Sequence, residues 1–375
     1  MRFILVTAFG VSFVLSLLLT AIVRRIARRL NFVDVPGGRK QHAEPTPHGG
    51  GIAIVTACSV TVLGAAFGAF FIERNPDFMH LSTVILQDVG RAVDRLPLLI
   101  KVCAGGIAIA LFGLWDDIRP FRPLTKLILQ FVIAGIIVLS SGMRISMFIP
   151  YDWVQAAITI VWIVLLTNTF NLLDNMDGLS GSMAFICAGA LLILVLQSTQ
   201  FFIAGLLLAL AGALLGFLFF NFPPASIFMG DTGSMFIGYI LATATVLTTF
   251  VNASGFNPLF PVIVPLVIFA VPLYDTASVL LIRLHHGKSL LTGDRNHLSH
   301  RLNRLGMSER RVLFTIALLT LATSLGATLP YGSSFWRAIV PVLQALAVVG
   351  ALVQLELAGS EISYPEIDDA EDTEE

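Results

Sequence analysis

The stretch VQAAITIVWIVLLTNTFNLLDNMDGLSG, residues 154–181, decides the fold. Residues 154–172 form an apolar run, and a helix rising about 1.5 Å per residue needs roughly 20 residues to cross a bilayer core. The run then meets Asn168, Asn171, Asp174 and Asp177 at three-residue intervals. On a continuing helix that spacing keeps neighbours within one turn, as a polar ribbon that Gly178 ends. A lipid-facing helix end has no use for four such groups, and polar side chains at membrane depth mark function.

The apolar pattern recurs along the whole chain. Of 375 residues 56% are hydrophobic and 13% charged, with mean hydropathy +0.86, a composition outside the range of soluble domains. Apolar runs near 3–23, 50–72, 98–114, 124–140, 154–172, 183–198, 201–221, 234–251, 259–281, 312–329 and 335–358 predict an all-α polytopic membrane protein of about eleven spans. Arg24, Arg25, Arg28 and Arg29 follow the first run and only Arg2 precedes it, the reverse of a signal peptide. The N-terminus is therefore expected outside and the C-terminus in the cytoplasm. Alternating from there, sixteen of the 23 Lys and Arg fall on the cytoplasmic side. The net charge of -1 carries no signal for nucleic acid. Cys58, Cys103 and Cys187 all fall within spans, without metal-ligand spacing. Residues 1–358 read as one transmembrane domain and 359–375 as an acidic, disordered cytoplasmic tail.

Five polar islands lie on the same predicted face. The first, Asp34 to Gly51, offers Arg39, Lys40, His42 and His48 ahead of Gly49 to Gly51, whose amides open the next helix and suit an anion. The second pairs Asp116 with Asp117. Two such charges about 4 Å apart repel by on the order of 4 kcal/mol at an effective dielectric of about 20, so a cation is expected there. Arg119 and Arg122 could supply it, and so could Mg2+ bound through carboxylate oxygens. The third island is the ribbon itself. The fourth, Asn221 to Gly238, holds Asp231 between Gly230 and Gly233, with Ser234 placed to cap the next helix. The fifth runs from Asp275 to GDRNHLSHRL, with Asp294, His297, His300 and Arg301 suited to pyrophosphate. Carboxylates, phosphate-binding cations and amides on one face imply Mg2+-assisted transfer at phosphorus, from a water-soluble substrate to or from a membrane-embedded one. Ionisable groups at one interface rather than the midplane argue against a transporter.

The ordered set RKQHAEPTPHGG, DD with Lys126, NTFNLLDNMDGL, FMGDTGS and DRNHLSHRL resembles the polyprenyl-phosphate N-acetylhexosamine-1-phosphate transferases, over about residues 34–305. The resemblance implies that a UDP-sugar and polyprenyl phosphate give polyprenyl-diphosphate-sugar and UMP, with Mg2+, or Mn2+ in its place. It makes Asp231 the principal metal ligand, joined by Asp117 and Asp174. It gives Asp116, Asp117, Asp174 and His297 catalytic roles. Lys40, His42, Lys126, Asn168, Asn171, Asp177, Phe228, His300 and Arg301 would bind substrates. Ser299 stands where many members have a third histidine, and three consecutive histidines typical of the muramoyl-pentapeptide branch are missing. The expected substrates are UDP-GlcNAc and undecaprenyl phosphate, at the cytoplasmic face of a bacterial inner membrane, with a homodimer as a further expected assembly.

Overall fold

A computed structural model describes residues 2–34, 45–75, 83–145, 149–248, 260–290, 296–329 and 335–360. Helix α1 (Arg2–Arg29) is followed by strands β1 (Val33–Asp34) and β2 (Thr46–Pro47), then by α2 (Gly50–Arg74) and α3 (Thr83–Asp94). Next come α4 (Leu96–Ile118), α5 (Pro123–Ser141), α6 (Asp152–Leu173), α7 (Leu179–Gln197), α8 (Phe201–Asn221) and α9 (Gly230–Leu247). The remainder is α10 (Phe260–Ile268), α11 (Ala270–His285), α12 (Leu298–Arg304), α13 (Glu309–Gly326) and α14 (Phe335–Ser360). Among the described residues eight helices are long and apolar enough to cross a membrane: α1, α2, α4 to α8 and α14. The chain is a helical, multi-pass membrane protein, as its composition demands. Of the acidic tail expected over 359–375, Gly359 and Ser360 end α14 and residues 361–375 lie outside the described residues; α3 falls between the apolar runs 50–72 and 98–114.

The run 259–281, expected as one span, is broken: α10 and α11 meet at Phe269 with a bend of 78°. Pro272 has no N–H for the carbonyl of Ile268 and its ring crowds that oxygen. Ile268 O instead accepts the Ser324 hydroxyl of α13 at 3.0 Å, which satisfies it inside the protein.

Helix α9 is the centre of the bundle. From Gly230 to Thr245 every residue but Asp231 is buried, against α2, α4, α6, α7 and α8. Such contact requires missing side chains at the crossings. A Cβ on Gly51 would lie 2.1 Å from Gly233 N, and one on Gly113 would lie 2.5 Å from Asp231 O. The start of α2 is tied to the same place, because Gly50 N and Gly51 N donate to Phe228 O and Met229 O, each at 2.8 Å. Those two amides, expected to bind an anion, are thus occupied by the chain itself.

On the other side α1 packs along α8. Ser12 and Ser16 donate to the carbonyls of Ala209 and Ala213, each at 2.6 Å, and Gly212 and Gly216 let the two backbones approach.

Candidate active site

The site is built around the first turn of α9, and a side chain from another helix holds that turn. Asp117, near the end of α4, accepts the N–H of Asp231 at 2.8 Å and of Thr232 at 3.1 Å, and the Thr232 hydroxyl at 2.7 Å. A helix start leaves such amides unpaired, and a carboxylate there also meets the positive end of the helix dipole. Ser234, expected as the cap, lies inside the helix and donates to Gly230 O at 3.0 Å, since the helix begins four residues earlier.

Asp117 has a fourth partner, His48 Nε2, 3.3 Å from Oδ1. The pairing of β1 with β2, and the bond from His48 N to Phe32 O at 3.0 Å, set that imidazole beside α9. Burial disfavours charge on the ring, but the hydrogen bond and negative charge of Asp117, helped by Asp174 and Asp34, outweigh it and raise the His48 pKa.

The expected cation beside the DD pair is present, and it is neither Arg119 nor Arg122. Lys126 reaches from α5 to Asp116 Oδ2 at 3.2 Å and to Asp231 Oδ2. Asp116 also accepts Phe121 N at 2.8 Å. Asp231 Oδ1 accepts the Asn171 amide at 2.7 Å, and the same amide reaches Ser234 at 3.0 Å. One ammonium, one amide and two carboxylates from α4, α5, α6 and α9 therefore meet at one point.

The polar ribbon divides here. Helix α6 ends at Leu173, so Asp174 and Asp177 sit in the turn that follows, while Gly178 at φ 71° opens α7 rather than ending α6. Asp174 faces the cluster. Burial, joined by the charges of Asp231 and Asp117, pushes its carboxyl up to about 7, against His48 and a hydrogen bond from the Gly230 backbone. Asp177 turns away and accepts Ala225 N at 2.7 Å. Asn168 lies one turn below the site and donates to Gln130 of α5 at 2.5 Å. Phe228 braces α2 and β2 through its backbone, with its ring 6.5 Å from that of His48.

The fifth island docks on the turn through Ser299, which donates to Asn175 Oδ1 at 2.5 Å. His297 and His300 are neighbours with ring centroids 6.4 Å apart. His297 Nδ1 lies 3.0 Å from Asp275 Oδ2. Arg301 turns inward, to Ser278 at 2.6 Å and Glu356 at 3.1 Å. Lys40, His42 and Asp294 lie outside the described residues.

Sequence reasoning read His48 as an anion-binding donor rather than as a partner of Asp117, and it passed over Thr232, Gln130 and Asn175. His48 sits one residue before the GGG opening α2, which was its one local signal; the site contacts of Thr232, Gln130 and Asn175 are to residues distant in the sequence, Asp117, Asn168 and Ser299. Among the described residues no three His, Cys, Asp or Glu side chains form a ready cage for a metal. The oxygens of Asp116, Asp174 and Asp231 are nonetheless of the kind a hard dication takes, completed by water and phosphate.

A family model described as glycosyl transferase family 4 matches residues 99–249, from within α4 to the end of α9. The chain is 30% identical to the decaprenyl-phosphate N-acetylglucosaminephosphotransferase of Mycobacterium tuberculosis, over 93% of this chain and 88% of that protein. It is 29% identical to the probable undecaprenyl-phosphate N-acetylglucosaminyl 1-phosphate transferase of Bacillus subtilis, over 93% of each. To the undecaprenyl-phosphate alpha-N-acetylglucosaminyl 1-phosphate transferase of Escherichia coli it is 27% identical, over 91% and 89%. The motifs, the converging helices and these relatives agree, and the chain belongs to glycosyl transferase family 4, among the polyprenyl-phosphate N-acetylhexosamine-1-phosphate transferases.

Proposed function

We propose that this protein transfers N-acetylglucosamine-1-phosphate from UDP-GlcNAc to undecaprenyl phosphate, releasing UMP. The relatives are named for transfer of this group to a polyprenyl phosphate. The observation that carries the reading for this chain is the meeting of Lys126, Asn171, Asp116 and Asp231 beside the turn holding Asp174. In the net reaction an oxygen of the lipid phosphate bonds to the sugar-bearing phosphorus. The bond from that phosphorus to the bridging oxygen breaks, and UMP leaves with that oxygen.

Mg2+, or Mn2+ in its place, is part of the proposal, with Asp231 as principal ligand and Asp174 and Asp116 beside it. Two observations support the fit: Asp231 and Asp116 already share a cation in Lys126, and Asp174 holds its proton until about pH 7 in the company of two other carboxylates. When bound, the metal neutralises diphosphate charge and stabilises what develops on the leaving phosphate. Asp117, with four donors on its two oxygens, keeps the first turn of α9 in place and is assigned that role ahead of ligation. Asn171 orients Asp231, and Lys126 on release from the carboxylates is a hydrogen-bond donor to phosphate. His297 and His300 are assigned to the sugar diphosphate.

The topology proposal keeps eleven spans in a bacterial cytoplasmic membrane, with the N-terminus outside and the site on the cytoplasmic face. The bent pair α10 and α11 counts as one span, and α9 and α13 count because their polar residues gather at the first turn, Asp231 in one and Glu309 to Arg311 in the other. Purified protein assayed with undecaprenyl phosphate against a panel of UDP-sugars tests the function. UMP release with UDP-GlcNAc far above the other donors is expected; accumulation of sugar in proteoliposomes without UMP release would overturn it.

A further inference from the structure

The buried carboxylate of Asp275 has no part in the reaction just proposed, yet the chain goes to some length to keep it. It lies on α11, within a broken membrane span, with 1% of its side chain exposed. An isolated carboxylate in such a place is strongly unfavourable, so its partners define its role. Its Oδ2 meets His297 Nδ1 at 3.0 Å, its Oδ1 accepts Leu298 N at 2.5 Å, and Arg301 comes to 3.9 Å of Oδ1. All three come from the start and first turn of α12, seven residues long and too short to stand without outside contacts.

Two of those contacts would serve any cap. The third is more selective. A carboxylate accepts and does not donate, so His297 carries its proton on Nδ1 and the ring is held by that bond. Nε2 is the nitrogen left for a substrate. The imidazole itself is only 6% exposed, so its orientation is set by packing and by Asp275 together. Arg301, expected to bind substrate, is instead directed at Asp275, Ser278 and Glu356, and Glu356 is held by Tyr274 at 2.9 Å. The Arg301 guanidinium, on the same helix α12, thereby lies between two carboxylates, Asp275 and Glu356, while the oxygens of Asp275 face α12.

We propose that Asp275 is a positioning residue for the sugar-1-phosphate transfer, acting through His297 by fixing the ring so that Nε2 is presented to the sugar diphosphate. This rests on the reading that His297 touches the substrate, and the test separates the two. A partner of this kind is worth about 10-fold to 100-fold where it orients a functional histidine. Asp275→Asn should lower kcat for UMP release by that factor and leave KM for UDP-GlcNAc within about threefold, on protein that elutes as a single folded peak. In the His297→Ala background the same substitution should have no further effect, because residues acting in series are not additive. Equal loss in both backgrounds would overturn the proposal and return Asp275 to a structural cap.

Should Asp275→Asn not be recovered folded, Asp275→Glu carries the test. It keeps the charge but moves it by one methylene, so reduced kcat with unchanged melting supports positioning, and wild-type kcat with lowered melting refutes it. The nitrogen-15 spectrum of His297 reads the ring directly: protonated Nδ1 in the native protein, and loss of that preference in Asp275→Asn. An unchanged spectrum would also refute the proposal. If the native protein released no UMP from UDP-GlcNAc, the transferase reading would fail, and the spectrum would still decide whether Asp275 sets the ring.

Discussion

Gly113→Ala offers a perturbation that removes no proposed ligand atom yet is aimed at the site. The added methyl would lie 2.5 Å from Asp231 O, 2.6 Å from Asp231 C and 2.7 Å from Thr232 N. All three are backbone atoms, so no rotamer change relieves the clash. Carbon contacts are comfortable at about 3.5 Å, so α4 and α9 must separate by about 1 Å. Asp117 follows Gly113 by one turn on α4, and its bonds to Asp231 N and Thr232 N measure 2.8 and 3.1 Å. Stretched by that amount they reach about 4 Å, beyond hydrogen-bonding range. Overpacking of this kind costs about 1–3 kcal/mol of stability. A misplacement of about 1 Å at reacting groups costs on the order of 100-fold in rate. The expected result is a modest drop in melting temperature in detergent with UMP release reduced about 100-fold. Gly189→Ala on α7, where a methyl meets nothing within 4 Å, should be neutral or slightly stabilising and fully active. Gly113→Ala protein turning over within threefold of wild type would refute the view that α9 is held in register by this crossing.

Asp231→Asn should abolish Mg2+-dependent UMP release with little change in melting temperature, and substantial residual activity would remove Asp231 from the metal site. Asp117→Asn should also stop turnover but lose about 2 kcal/mol of stability, because its amide would face the donors of Thr232; an unaltered melting curve would contradict the capping role. Since Asp174 is held protonated up to about pH 7 in the metal-free protein, and a dication needs the carboxylate, Mg2+ affinity should weaken about tenfold per pH unit below 7. Calorimetry in buffers of different ionisation enthalpy should detect proton release on binding near pH 6.5 and none well above pH 8. Gln130→Leu should cost roughly 0.6–2 kcal/mol and leave KM for UDP-GlcNAc unchanged. A raised KM would return Asn168, its partner, to substrate binding.

Much of the architecture was legible because lipid imposes a plain rule on sequence: long apolar runs, with polar groups gathered at one set of ends. The convergence of Asp116, Asn171 and Asp231 was legible for the same reason, since each is a polar group set at the end of an apolar run. What stayed hidden depended on contacts between distant segments. Ser234 has the local look of a cap, but Asp117, more than a hundred residues away, does the capping. Lys126 is ten residues from Asp116 and was read as a substrate ligand, because nothing local says that it also meets Asp231. Asn168 and Arg301 look like free polar groups until Gln130 and Glu356 are placed beside them. The break at Phe269 was concealed by the very apolarity of residues 259–281.

The seam between α1 and α8 bears on how the protein is made. Ser12 and Ser16 bond to carbonyls 197 residues further along. At synthesis rates of about 5–20 residues per second, α8 emerges roughly 10–40 s after α1. Throughout that interval the hydroxyls of Ser12 and Ser16 and the exposed groove of α1 wait without their mates, in a membrane already receiving the five spans α2 and α4 to α7. A chaperone or insertase that shelters polar serines on a newly inserted helix would find α1 its natural client, and the arrival of α8 would be the event that releases it.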